Sequence, residues 1–150
     1  MDIKITLIKM KIAIVTSDGK TVNQHFGRSP YYAIISIENG KIVDAEMRQR
    51  GTGHFARNQM QHQHQEEHHH DENKTGLHGY DKGSQEKHNR MAAEISDCKV
   101  LIAGGMGRGA YEQFLKNNIK VIMTDKRYLQ EVVELFIKGE LPNLYMDRTH

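Results

Sequence analysis

Apolar and polar residues along this chain fall into short blocks with two periods. Residues 10–16 (MKIAIVT) form a β-branched run that stops at Ser17-Asp18-Gly19, a turn signal, and predict a central strand. Residues 20–30 read as a loop. Residues 31–38 (YYAIISIE) and 41–48 (KIVDAEMR) predict two further strands flanking Asn39-Gly40. Asn-Gly between alternating runs is a strong hairpin signal, because both central residues of a type I′ turn need positive φ.

Helical period begins later. Residues 86–96 (EKHNRMAAEIS) place Met91, Ala92 and Ile95 on one helical face. Residues 99–103 (KVLIA) read as a buried strand that runs into a glycine-rich turn at 104–109. A helix follows to about Asn117, where Asn117-Asn118 can close it in the left-handed region. Residues 119–124 (IKVIMT) predict another strand. Over residues 126–138, Leu129, Val132, Val133, Phe136 and Ile137 recur at helical spacing, and Gly139 ends the run. Strands separated by one helix are parallel neighbours through a right-handed crossover, whereas the hairpin is antiparallel. The pattern predicts an α/β fold: a mixed five-stranded sheet with an N-terminal antiparallel hairpin and helices packed on it.

Composition changes the picture at one place. The hydrophobic fraction is 37% and the mean hydropathy −0.69, both low for a globular chain. The deficit is local, since residues 51–90 contain no Val or Ile. Residues 54–88 hold eight of the ten histidines and five glutamines. Such a tract offers too little apolar surface to offset its ordering entropy, so it reads as a flexible, disordered insertion at about 51–85. The remainder reads as one domain over residues 10–150, with residues 1–9 an N-terminal extension. Lysines interrupt the apolar start and no small-residue cleavage site follows, which argues against a signal peptide.

A net charge of +2 with scattered charges gives no electrostatic case for nucleic acid. No run approaches transmembrane length. The single cysteine, Cys98, excludes an intrachain disulfide and a multi-thiolate zinc cage, and fits a cytoplasmic protein. Cys98 stands at the start of a strand and reads as a small buried residue.

Ligands of such sheets bind outside the carboxyl ends of the parallel strands. Three loops leave those ends: residues 17–28, 104–110 and 124–127. The turn Gly104-Gly105-Met106-Gly107-Arg108-Gly109 carries four glycines and opens a helix. Backbone amides and the positive helix end there favour an anion, and Arg108 adds a charged fork. The turn lacks the Lys-Ser/Thr of a P-loop, and its third glycine comes one residue early for a dinucleotide fingerprint. His25, with Phe26, Gly27 and Arg28, lies on the neighbouring loop and offers a metal ligand or an anion contact. No Gly-x-Ser-x-Gly or His-Glu-x-x-His motif occurs. The first and fourth strands carry no acids, which disfavours two-metal phosphodiester chemistry. In the tract, His62, His64, His68, His69 and His70 suit Ni²⁺, Cu²⁺, Zn²⁺ or Co²⁺, bound without fixed geometry.

The segments HFGRSPYYAI (25–34), VLIAGGMGRGAYEQFLKNNIKVIMTD (100–125) and ELPNL (140–144) resemble the dinitrogenase iron-molybdenum cofactor biosynthesis family. The resemblance covers residues 10–44 and about 91–144 and leaves out the histidine tract. It implies a three-layer α/β/α fold with a ribonuclease-H-like sheet. It also implies non-enzymatic binding of an anionic metal–sulfur cluster, of Fe-Mo-S or Mo-Cu-S type, with His25, Gly27 and the 104–109 turn at the family's motif positions.

The expected function is therefore that of a cytoplasmic, monomeric carrier for such a cluster or its precursor, meeting metallocluster assembly or acceptor proteins and neither nucleic acid nor membrane. Two readings from other classes stand beside it: a nucleotide- or phosphate-binding small enzyme or switch using the glycine turn, and a histidine-rich divalent-metal buffer.

Overall fold

The computed structural model describes residues 9–51 and 90–149. Residues 1–8 of the N-terminal extension, nearly all of the histidine tract and its five candidate ligands His62, His64, His68, His69 and His70 lie outside the described residues. Five strands form one sheet: β1 (Lys9–Thr16), β2 (Tyr31–Glu38), β3 (Lys41–Gln49), β4 (Val100–Ala103) and β5 (Lys120–Met123), in the order β3-β2-β1-β4-β5. β1 pairs antiparallel with β2 and parallel with β4, placing Ile12 opposite Val100 and Ile14 opposite Ile102. β4 and β5 are parallel. The mixed sheet and its N-terminal hairpin are as the sequence predicts.

Strand alternation sends successive side chains to opposite faces, and both faces of the sheet centre are buried. Ala13 and Val15 join Tyr32, Ile34, Leu101 and Phe114 in one core; Ile12 and Ile14 join Ile35, Ile102, Val132 and Val133 in the other. The first core is closed by residues 90–94, which are helical, and by α1 (Arg108–Lys116). The second is closed by α2 (Leu129–Lys138), whose Leu129, Val132 and Val133 are buried. Three layers result, because a sheet apolar on both faces needs a cover on each.

The local punctuation follows from dihedral preferences. Asn39 and Gly40 have φ of 56° and 77°, the two positive values that a type I′ turn requires. Asn118 (φ 63°) and Gly139 (φ 74°) stand in the left-handed region just beyond α1 and α2.

Two boundaries differ from the sequence pattern. α2 begins at Leu129, not near Lys126, because the preceding residues pair with the β1–β2 loop. The Val22 amide donates to the Arg127 carbonyl (2.8 Å), the Leu129 amide donates to the Lys20 carbonyl (2.9 Å), and Thr21 and Tyr128 form an antiparallel bridge. A short C-terminal helix, α3 (Tyr145–Arg148), was not predicted; a four-residue helix carries no periodic signal. Asn143, just before it, extends the outer edge of β5: its side chain donates to the Val121 carbonyl and accepts from the Met123 amide, both at 3.0 Å.

Candidate functional site

The loop after β1 is built from its own side chains. Asp18 accepts from the amides of Lys20 (2.9 Å) and Thr21 (2.8 Å), and the Thr16 hydroxyl donates to the Thr21 carbonyl at 2.7 Å. Those backbone bonds hold the exposed Asp18 carboxyl down at about 2. The chain then crosses back over the sheet: the Asn23 amide donates to the Val15 carbonyl at 2.9 Å, and the Asn23 side chain donates to the Ser17 hydroxyl at 2.6 Å.

At this point the first loop meets the glycine turn. The Gly104 amide donates to the Asn23 carbonyl (3.0 Å), and the Phe26 amide donates to the Gly105 carbonyl (3.1 Å). Phe26 opens a single 3-10 turn, Phe26–Arg28, and its ring is buried edge-on against Phe114, with centroids 5.4 Å apart. His25 stands immediately before this turn and is exposed, as is Arg28; Gly27 is half-buried. The parallel pairing of β1 with β4 thus brings the two sequence-predicted segments to one edge of the sheet.

The glycines have different tasks. A Cβ on Gly104 would stand 2.8 Å from both the Asn23 carbonyl oxygen and the Gln24 Cα, so this position admits only glycine without displacement. A Cβ on Gly107 would meet nothing within 4 Å. Gly104, Gly105 and Met106 are buried, Gly107 and Arg108 are exposed, and Gly109 is half-buried in the first turn of α1. Gly107 is the N-cap of α1, and no side chain caps the helix. Gly107 supplies no side chain to cap the helix, and the first turn holds no acid. The Gly104 and Met106 amides are spent within the fold, on Asn23 and on the Arg148 carbonyl (3.2 Å). The exposed part of the turn begins at Gly107.

The sequence pattern missed Arg148. Its Nη1 donates to Gln24 Oε1 and to the Gly104 carbonyl, both at 3.1 Å, so α3 clips the two loops together from outside. Tyr145 stacks on Tyr111 of α1 at 5.6 Å. Nothing near Arg148 in sequence could reveal this, because its partners are distant in the chain.

The third loop contributes a cavity of about 350 Å³ lined by Ser17, Asn23, Gln24, Arg127 and Tyr128, together with Thr21 and Val22. It adjoins Asn23 and Gln24, and the glycine turn does not line it. At the opposite end of the sheet, Cys98 is buried, and burial, with Asp97 beside it, pushes its thiol up to about 12. Among the described residues, no group of three or more His, Cys, Asp or Glu is placed to hold a metal ion. Among them, too, no helix is long and apolar enough to cross a membrane.

Sheet order, two covered faces and a loop cluster at the carboxyl ends of β1, β4 and β5 define a three-layer α/β domain. The chain belongs to the dinitrogenase iron-molybdenum cofactor family, whose model matches residues 9–139. Protein MJ0580 of Methanocaldococcus jannaschii is 26% identical over 139 residues, covering 93% of each chain. The crystal structure of PH0822 superposes with a TM-score of 0.61 at 23% identity, over 91% of this chain and 97% of that one. The apo form of the orange protein from Desulfovibrio gigas gives a TM-score of 0.57 at 16% identity, over 91% and 94%. At these identities the two structures establish the shared fold.

Proposed function

We propose that this protein binds an anionic metal–sulfur cluster of iron-molybdenum type, or its precursor, and carries it as an accessory to metallocluster assembly without catalysing a reaction. The observation that carries this reading is the joining of the His25 loop to the glycine turn by the Phe26–Gly105 and Asn23–Gly104 hydrogen bonds, beside an uncapped helix start. The cluster is cargo here, and the residues present suit it. His25 offers an imidazole nitrogen, the first-turn amides of α1 offer donors to an anion, and Arg108 adds positive charge. The open space at Gly107 leaves room for a ligand to approach the backbone. Gly27 lies within the 3-10 turn beside His25, and Arg28, exposed, adds a second cation at the rim. Handover would be to assembly or acceptor proteins in the cytoplasm, with the carrier acting as a monomer.

Tetrathiomolybdate is the probe for this reading. Protein purified without air or chelator should take it up with a visible absorption band. Gly107→Val should abolish that uptake by filling the approach to the backbone. His25→Ala should weaken cluster uptake more than it weakens binding of simple phosphate. Uptake that survives both substitutions would sink the shared site.

A second reading has its own support in the cavity beside Asn23. Its volume suits a small ligand, and Arg127 and Tyr128 would face a phosphate and a base. A nucleotide that binds without visible absorption, and that Arg127→Gln expels, would favour this alternative.

A further inference from the structure

Arg50 follows directly on β3 and is only 1% exposed, the largest of the fully buried side chains among the described residues. Its amide donates to the Pro30 carbonyl at 2.9 Å. Its Nη1 donates to two carbonyls of the site loop, that of Phe26 and that of Ser29, the latter at 2.9 Å. The guanidinium carbon lies 4.1 Å from the centroid of the Phe26 ring and 5.0 Å from that of Tyr32. Nε and Nη2 are buried without a hydrogen-bond partner among the described residues, as are the Tyr32 hydroxyl and Glu94 Oε1.

For stability alone this arrangement is a poor choice. A buried cation loses its hydration, and a well-packed apolar side chain of similar volume often serves the fold equally well. Unpartnered buried donors add to the cost. What an apolar side chain cannot do is hold the carbonyls of Phe26 and Ser29 at once. Those two carbonyls bracket the 3-10 turn Phe26–Arg28, which no side chain caps at its N-terminus. The same turn is fixed to the glycine turn through the Phe26 amide. A planar, five-donor guanidinium stacked on two rings has little freedom, so the turn it grips inherits that rigidity.

We infer that Arg50 is a positioning residue for the binding site: from inside the core it fixes the Phe26–Arg28 turn, and so sets His25 against the glycine turn. The inference rests on the cluster-binding reading for its consequence, but the grip on the turn can be measured without any ligand. It places a functional constraint just beyond β3, a strand whose own residues are almost all exposed.

The test uses the full chain with Arg50→Met and Arg50→Lys. Hydrogen exchange is followed at the Arg28 and Ser29 amides, which donate to the His25 and Phe26 carbonyls. Tetrathiomolybdate affinity and the urea midpoint are measured in parallel. Arg50→Met is expected to speed exchange at both amides and to weaken tetrathiomolybdate roughly tenfold, the scale of one lost charge-assisted hydrogen bond passed on to the site. Its urea midpoint should fall as well, because the Phe26 and Ser29 carbonyls lose their buried donor, so affinity is compared without urea, where each variant is folded. Arg50→Lys keeps the charge without the fork and should lie between the two. Should Arg50→Met fail to fold, Arg50→Lys supplies the comparison, with exchange at Arg28 and Ser29 read against that of the β1 core.

Unchanged exchange at both amides, in whichever variant folds, overturns the inference. So does faster exchange with unchanged affinity, or a drop in affinity that only tracks a drop in global stability. If the unaltered protein takes up no tetrathiomolybdate, the cluster reading falls, and loop exchange alone decides whether Arg50 holds the turn.

Discussion

The amide of Phe26 donates to the carbonyl of Gly105 across 3.1 Å. Through this bond the turn that follows His25 is registered against the glycine turn that opens α1. Two arginines reinforce the junction, Arg50 from the core and Arg148 from the C-terminal helix. The geometry of the site is therefore set by backbone contacts that side-chain substitutions on its exposed rim leave in place.

The glycine turn should divide into a structural half and an accessible half. Gly104→Ala forces a Cβ against Asn23 and Gln24 and is expected to cost about 1–3 kcal/mol, the range for overpacking a tight site. Gly107→Ala meets open space and should cost less than about 1 kcal/mol, through the poorer helix cap alone. Urea denaturation of the two variants separates these outcomes; equal losses would contradict the division.

Acid should loosen the loop after β1 through Asp18. Its carboxyl is held down to about 2 by the amides of Lys20 and Thr21. A depressed carboxylate contributes stability that is fully present above its unfolded value near ~3.9 and is lost as pH falls toward the folded value. The stability of the protein should therefore decline between about pH 4 and pH 2, and Asp18→Asn should flatten part of that decline. Asp97, held low by the hydrogen bonds from Arg48, contributes in the same acid direction. Titration of the Asp18 side-chain carbon by NMR reports the shift directly.

Cys98 should behave as an inert thiol. Burial keeps it protonated up to about 12, so alkylation by iodoacetamide near neutral pH should be far slower than for a free cysteine. The sign is opposite to that of Asp18. Here the folded state holds the proton more tightly, and the stability linked to it is present below the unfolded thiol value near ~8.5 and lost as pH rises through the folded one. Rapid labelling of folded protein would contradict this.

The histidine tract makes a prediction from composition alone. Neutral imidazole ligates metal and protonation competes, so Ni²⁺ or Zn²⁺ should bind near pH ~7.5 and leave toward pH ~5. Replacing His62, His64, His68, His69 and His70 by Ala should remove most of that binding while the urea midpoint of the core holds. Calorimetric stoichiometry that does not change would count against a metal role, and also against the reading of the protein as a divalent-metal buffer.

Much of the fold was legible because it is written in short-range patterns. A β-branched run such as IAIV, an Asn-Gly pair between alternating runs, and a glycine after Ile137 and Lys138 each state a dihedral preference within a few residues. The convergence of His25 with the glycine turn was legible one step further on, since parallel pairing of β1 with β4 follows from the order of elements and the handedness of crossovers. The family's motifs lie on those same local segments.

Where the pattern failed, the deciding contacts lie far apart in sequence. α2 starts late because Arg127 and Tyr128 pair with Thr21 and Val22. Arg148 reaches Gln24 across 124 residues, and Arg50 reaches Phe26 across 24. Sequence position shows that an arginine follows a strand; it does not show that the strand delivers it, buried and nearly inaccessible, beneath a loop. Local dihedral and hydrophobic preferences thus determined which segments are strands, helices and turns. Which glycine is sterically required, which amides remain open and which cations grip the site were decided only when the packed sheet brought those segments together, because each depends on distances between atoms that the chain itself keeps apart.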